Sequence, residues 1–207
     1  MPLTSAFEVY ERIVALAATA PYSERLAKMR RAFEQRTGTF GAEDAWFEAR
    51  SRAFWDDALT RQGFAREVAP TLPEEGRAWA LAFDRAHRGL FRAEEADGKW
   101  VLRDAWSGAE MIVDAADDGS REALHAAAGL FDARVVAIGE PISIAMLPGA
   151  LFHSEEATEA IESVLDAARA QGLDAHDVLD ALLRMERRFR SLSRVKAGYA
   201  YRADGLY

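Results

Sequence analysis

Cysteine is absent from all 207 residues, which removes disulfides, thiolate zinc sites and cysteine nucleophiles from consideration. Histidine is sparse, with His87, His125, His153 and His176 scattered singly. No apolar run approaches the roughly 18 residues that a membrane span needs. The first stretch lacks a basic segment and carries Glu8, Glu11 and Arg12 inside its apolar part, which argues against a signal peptide and predicts a cytoplasmic protein. Also missing are G-x-x-x-x-G-K-[ST], a G-x-G-x-x-G after a strand, H-E-x-x-H and G-x-S-x-G, so phosphate loops, zincin sites and nucleophile elbows have no support. No cofactor, metal or catalytic residue is expected.

What is present is a core and a charge imbalance. Half of the residues are hydrophobic and 29% are charged, enough to bury a core of domain size. The net charge is -8, yet residues 184–207 hold seven basic side chains against Glu186 and Asp204, leaving -13 for residues 1–183. Such a chain repels polyanions on average, so contact with an acidic partner has to come from this local excess.

From Thr4 to about Arg88 the apolar period is helical. Phe7, Tyr10, Val14 and Ala17 share one face of a first helix that Pro21 closes; Leu26, Met29 and Phe33 mark a second, stopped at Gly38 and Gly41. A third helix is predicted over "AEDAWFEARSRAFWDDALTRQGF", and "APTLP" breaks the chain after it. Thr71 and Glu74 have capping-box spacing ahead of a fourth, with Trp79 and Phe83 four apart. The aromatics on these faces read as core.

After Gly89 the period shortens to two. "LFRAEE", "KWVLRD" and "AEMIVD", separated by Asp97-Gly98 and Trp106-Ser107-Gly108, predict a three-stranded meander. An Ala-rich helix or loop follows, then "LFDARVVAIG" and "ISIAML" as two further strands. Ser154 is placed to cap a helix striped by Ile161, Val164, Leu165 and Ala168; Asp174 is placed to cap a last helix with Val178, Leu182, Met185, Phe189 and Leu192 on one seam. The expected class is therefore α+β: a helical N-terminal half, a small five-stranded antiparallel bent sheet or partly closed barrel, and two C-terminal helices. The expected parts are 1–71, 72–153 and 154–207, joined in one compact unit.

One stretch carries a resemblance. The helix that runs into Leu90-Phe91, the Leu102-Arg103-Asp104 strand end before Ser107-Gly108, and Phe131 with Ala133-Arg134-Val135-Val136 before Gly139 are similar to the helix-then-β region of a group of largely uncharacterised bacterial proteins, many with an attached SEC-C zinc motif. It covers about residues 72–160 and implies a fold rather than a chemistry. The zinc motif itself is ruled out by the absence of cysteine.

Four smaller clusters hold residue types that catalysis or metal binding uses. His153 and Glu156 have di-metal spacing without a second copy, and His153 reads as a surface histidine beside the Ser154 cap. Asp114, Asp117 and Asp118 lack the calcium-loop spacing. Glu94 and Glu95 point to opposite faces of a strand, and Asp84 with His87, one helical turn apart, has no nucleophile.

The last helix is different. Helical phase puts Arg184, Arg187, Arg188, Arg190 and Arg194 opposite the apolar seam, followed by Lys196, Tyr199, Tyr201 and Arg202. Two i,i+4 pairs, Asp180 to Arg184 and Glu186 to Arg190, would neutralise part of it, and a basic helix end also suits the helix dipole. The resulting expectation is a non-enzymatic bacterial adaptor or regulatory protein whose partner-binding residues are Arg184, Arg187, Arg188, Arg190, Arg194, Lys196, Tyr199 and Tyr201. The partner is another protein or a second copy of the chain, with no membrane attachment. The alternatives are a nucleic-acid-binding accessory protein using the same face, and an enzyme or small-ligand binder whose site is assembled from residues distant in sequence.

Overall fold

Apolar side chains at three- and four-residue spacing set the first layer. Helix α1 (Thr4–Ala17) buries Ala6, Val9, Tyr10, Ile13 and Ala17 along one stripe. Pro21 lies in the short 3-10 turn that follows it. Helix α2 (Ser23–Thr37) buries Met29, Phe33 and Thr37 and ends at Gly38, whose φ of 91° favours glycine. The computed structural model describes residues 4–114, 121, 122, 124, 125, 128–140, 142–192 and 194–206.

The single third helix expected from the sequence is two. Helix α3 (Phe47–Leu59) begins only after turns at 42–46, and helix α4 (Phe64–Val68) follows Gly63, whose φ of 72° no helix continues through. Helix α5 (Glu74–Phe83) starts behind Pro73. The expected capping box does not form, because the Thr71 hydroxyl turns back to donate to the Val68 carbonyl at 2.7 Å.

The sheet then runs β1 (His87–Ala96), β2 (Lys99–Asp104), β3 (Glu110–Val113), β4 (Phe131–Ile138) and β5 (Ser143–Met146), in the order β3-β2-β1-β4-β5 with every pairing antiparallel. A short sixth strand, β6 (Leu151–Phe152), takes the free end of the β4 edge beside Phe131 and Asp132. Asp97 and Gly98, at φ 52° and 72°, close the β1–β2 hairpin as their dipeptide predicts. The sheet curls until its two ends touch: Asp114 N donates to the Ile144 carbonyl at 2.8 Å, and Ile144 N donates to Asp114 Oδ2 at 2.9 Å. This is the partly closed barrel anticipated from five short strands.

Strand alternation sorts residues between cores. Phe91, Leu102, Val113, Phe131, Ala133, Val135 and Met146 fill the barrel, whereas the neighbours Leu90 and Val136 face outward, Leu90 to the C-terminal helices and Val136 to the N-terminal helical core. Helix α6 (Thr158–Ala170) and helix α7 (Ala175–Ser191) follow, and two short 3-10 turns, Ala197–Tyr199 and Ala203–Leu206, come after them. Asp174 caps α7 as expected, accepting from His176 N at 2.8 Å. Ser154 instead precedes a 3-10 turn, Glu155–Ala157, without a side-chain cap bond. The seam of Val178, Leu182, Met185 and Phe189 is buried, but Leu192 is 41% exposed. No helix among the described residues is long and apolar enough to cross a membrane.

A buried ionic chain fixes where α7 lies. Arg134 donates to Asp57 at 2.9 Å; Asp57 also accepts from Arg36 at 2.5 Å; Arg36 reaches on to Asp180 at 3.0 Å. Asp180 accepts from Arg61 at 2.7 Å and from Arg88 at 2.6 Å, and Arg88 grips Asp132 through two nitrogens. Strands β1 and β4, helices α2 and α3, and α7 are thereby tied at one place. Asp180 is thus held by three arginines from other elements and not by Arg184, the i+4 partner expected from the sequence.

Candidate functional site

Beyond Asp180, α7 lays its C-terminal half beside the start of α3. Between them is a cavity of about 260 Å³, lined by Asp44, Trp46, Arg50, Leu151, Leu183, Glu186, Arg187 and Arg190, among others. Its parts come from three segments, 44–50, 151 and 183–191, the first more than a hundred residues from the other two.

Arg50 forms its inner wall and is only 3% exposed. One terminal nitrogen donates to the Thr37 carbonyl at 2.8 Å and to the Gly38 carbonyl at 3.0 Å, while Nε is buried without any partner. Among the described residues no carboxylate pairs with this guanidinium. Burial first, then the nearby charge of Arg187, pull Arg50 down to about 10, with Asp44 opposing the shift. It stays a cation at neutral pH, in a place where an uncompensated charge is costly.

Arg187 stands at the mouth, exposed, with its side chain making no hydrogen bond or ion pair. Arg190 is held differently. It donates to Glu186 Oε1 and lies over the Trp46 ring at 3.1 Å from the centroid.

Glu186 is fully engaged. Its other oxygen accepts from the Tyr201 hydroxyl and lies 3.3 Å from His153 Nδ1. Burial would raise the Glu186 carboxyl, but the hydrogen bond and charge of His153, the Tyr201 hydroxyl and Arg190 together hold it below its ordinary value. Burial and then the Glu186 charge drive Tyr201 far above the usual phenol range, so it remains a neutral donor. The Glu186 charge is therefore spent on Arg190, Tyr201 and His153, and the cavity's excess is positive. Such a site can hold an anion beside an apolar wall.

The residues singled out in the sequence divide into three groups. Arg187, Arg188, Arg194 and Lys196 are exposed and unpaired, and Tyr199 is 62% exposed beside them. Arg190 is exposed but engaged. Arg184 and Tyr201 turn inward: Arg184 donates to the Arg36 carbonyl at 2.6 Å, and Tyr201 is buried against Phe189 and His153. Both are removed from the outer face because α7 is covered on two sides instead of one. Its Leu179 and Leu183 are buried as well as the expected seam.

A shallower groove of about 580 Å³ continues from the cavity past Trp46 and Arg190 to Leu192, Arg194 and Lys196.

Two other expectations are corrected. His153 is not a surface histidine: it is 5% exposed, and Glu156, exposed on the far side of Ser154, does not join it. Asp84 and His87 do not share a helix, because α5 ends at Phe83; Asp84 meets Arg66, and His87 lies 3.3 Å from Asp104. Asp117 and Asp118 lie outside the described residues. Asp114 is used in closing the barrel, and no metal-ligating cluster occurs among the described residues.

Arg50, Trp46 and the interior role of His153 were missed. Arg50 had a readable signal, since it shares helical phase with Trp46, Phe54 and Asp57 at spacings of four and three.

No protein family, curated protein or solved structure matches the chain.

Proposed function

We propose that this chain is a non-enzymatic adaptor or regulatory protein that binds an acidic segment of a partner protein along the C-terminal end of α7. The observation that carries the reading is the group Arg187, Arg188, Arg194 and Lys196, four cations within ten residues that have no acidic partner. The interior arginines Arg88 and Arg134, by contrast, are each neutralised by aspartate. Leaving several unpaired next to an open groove suits a surface kept for an outside anion.

Protein is favoured over nucleic acid by charge. A polyanion that extends beyond this end of the molecule meets a body carrying -13, whereas a short acidic segment can be satisfied locally. Leu192 and the Trp46 face of the groove add apolar contact that a peptide uses and a phosphate backbone does not.

The test is fluorescence anisotropy at two salt concentrations with a labelled oligoglutamate peptide and labelled single- and double-stranded oligonucleotides. Wild type is compared with an Arg187→Glu, Arg188→Glu double variant whose fold is checked by circular dichroism. Peptide binding weakened about tenfold or more in the variant supports the reading. Salt-sensitive oligonucleotide binding lost in the variant, with no peptide binding, replaces it with the nucleic-acid reading. Concentration-dependent sedimentation lost in the same variant points to a second copy as the partner.

A further inference from the structure

The cavity behind Arg187 asks for something smaller than a protein. Arg50 is a buried cation with no carboxylate, its Nε lacks any partner, and its other nitrogens are met only by neutral carbonyls and the Thr37 hydroxyl. Buried guanidinium groups in this molecule otherwise meet aspartate, as Arg88 and Arg134 do. The charges that face the cavity are Arg50, Arg187 and Arg190 against Asp44 and Glu186. The lining still carries one positive charge in excess, because Asp44 and Glu186, whose oxygens are already engaged, oppose three arginines. The remaining wall is apolar: the Trp46 ring, held flat by Arg190, with Leu151 and Leu183.

We propose that this cavity binds a small organic anion, with a single carboxylate or phosphate head between Arg50 and Arg187 and an apolar body against Trp46, Leu151 and Leu183. A volume of 260 Å³ holds about nine waters at roughly 30 Å³ each, which limits the ligand to about ten non-hydrogen atoms. Arginine suits either head because its planar fork meets two oxygens at once. The ligand site meets the docking surface proposed above at Arg187, Trp46 and Arg190 but is distinct from it in depth: Arg188, Arg194 and Lys196 do not line the cavity, and Arg50 does not reach the outer groove.

The experiment titrates 15N-labelled protein at fixed ionic strength with benzoate, phenyl phosphate, inorganic phosphate and benzyl alcohol, following the Arg50 Nε–H resonance and the melting temperature. The expected result is a saturable shift of that resonance with benzoate, phenyl phosphate or both, and the arm that binds tighter identifies the head group. Arg187→Gln is expected to weaken binding about ten- to a hundredfold. Arg188→Glu is expected to leave it unchanged while weakening capture of the acidic peptide. Arg50→Met removes the inner charge directly, and Arg187→Gln serves where that variant fails to fold. The proposal is overturned if neither aromatic anion moves the resonance, if benzyl alcohol binds as tightly as benzoate, or if inorganic phosphate binds as tightly as phenyl phosphate.

Discussion

Replacing Asp180 by Asn tests whether the buried ionic chain holds the molecule together. Asp180 is the node at which α7 meets the rest: it accepts from Arg88 at 2.6 Å, Arg61 at 2.7 Å and Arg36 at 3.0 Å, and its side chain is 4% exposed. Asparagine keeps the shape but removes the charge and turns one acceptor into a donor facing a guanidinium. Breaking one partner of a buried pair leaves uncompensated charge and costs about 3–5 kcal/mol, a large share of a total stability of roughly 5–15 kcal/mol. Glu162→Gln is the control, because its pair with Arg92 is about half exposed on both sides and such pairs contribute about 0–1 kcal/mol.

Urea unfolding followed by tryptophan fluorescence reads both variants. The acid limb supplies a second readout. Burial raises Asp180, but the charge and hydrogen bonds of Arg88 and Arg61 outweigh it and hold the carboxyl below its ordinary value. A depressed folded value means that its stabilising contribution is present above the ordinary carboxylate range and fades as pH falls through the folded value. The gap between wild type and Asp180→Asn therefore narrows on acidification. A cost below about 1 kcal/mol, equal to the Glu162→Gln control, refutes the reasoning.

Two further outcomes follow from the same interior. Asp56, fully enclosed, accepts from Tyr10 at 2.7 Å and from Gly149 N at 3.0 Å, and burial, opposed by Arg134 and these bonds, raises it from 3.8 to about 7. A raised acid favours the fold while protonated, so this contribution is complete below about pH 4 and disappears as pH rises through 7. Asp56→Asn is expected to flatten urea midpoints over that range, and parallel curves for the two proteins would reject the assignment. Gly149→Ala places a Cβ 2.6 Å from the Arg52 carbonyl oxygen and from the Asp56 carboxylate. One contact is backbone, so the expected loss is about 1–3 kcal/mol in the same assay; an unchanged midpoint would show that this approach relaxes freely.

Several features that a few neighbouring residues decide were legible in the sequence, although the Thr71 and Ser154 caps and the break at Gly63 were not. Asp97-Gly98 sets a tight hairpin by its own dihedral preferences, Asp174 caps α7 through its own side chain, and the change of apolar period from helical to alternating after Gly89 separates the helical half from the barrel. The bent five-stranded sheet with helices on either side follows from those local facts. Tertiary structure alone decided what the charges do. Asp180 looks like half of an i,i+4 surface pair with Arg184 until Arg36, Arg61 and Arg88 arrive, the first of them from 144 residues away. His153 looks like a solvated neighbour of a cap until Tyr201 folds over it. Arg50 differs from any helix arginine only because α7 buries it without supplying a carboxylate. An ionised side chain carries no local sign of its partner: its energy depends on dielectric and distance, and both are set by segments that meet only after the chain has folded.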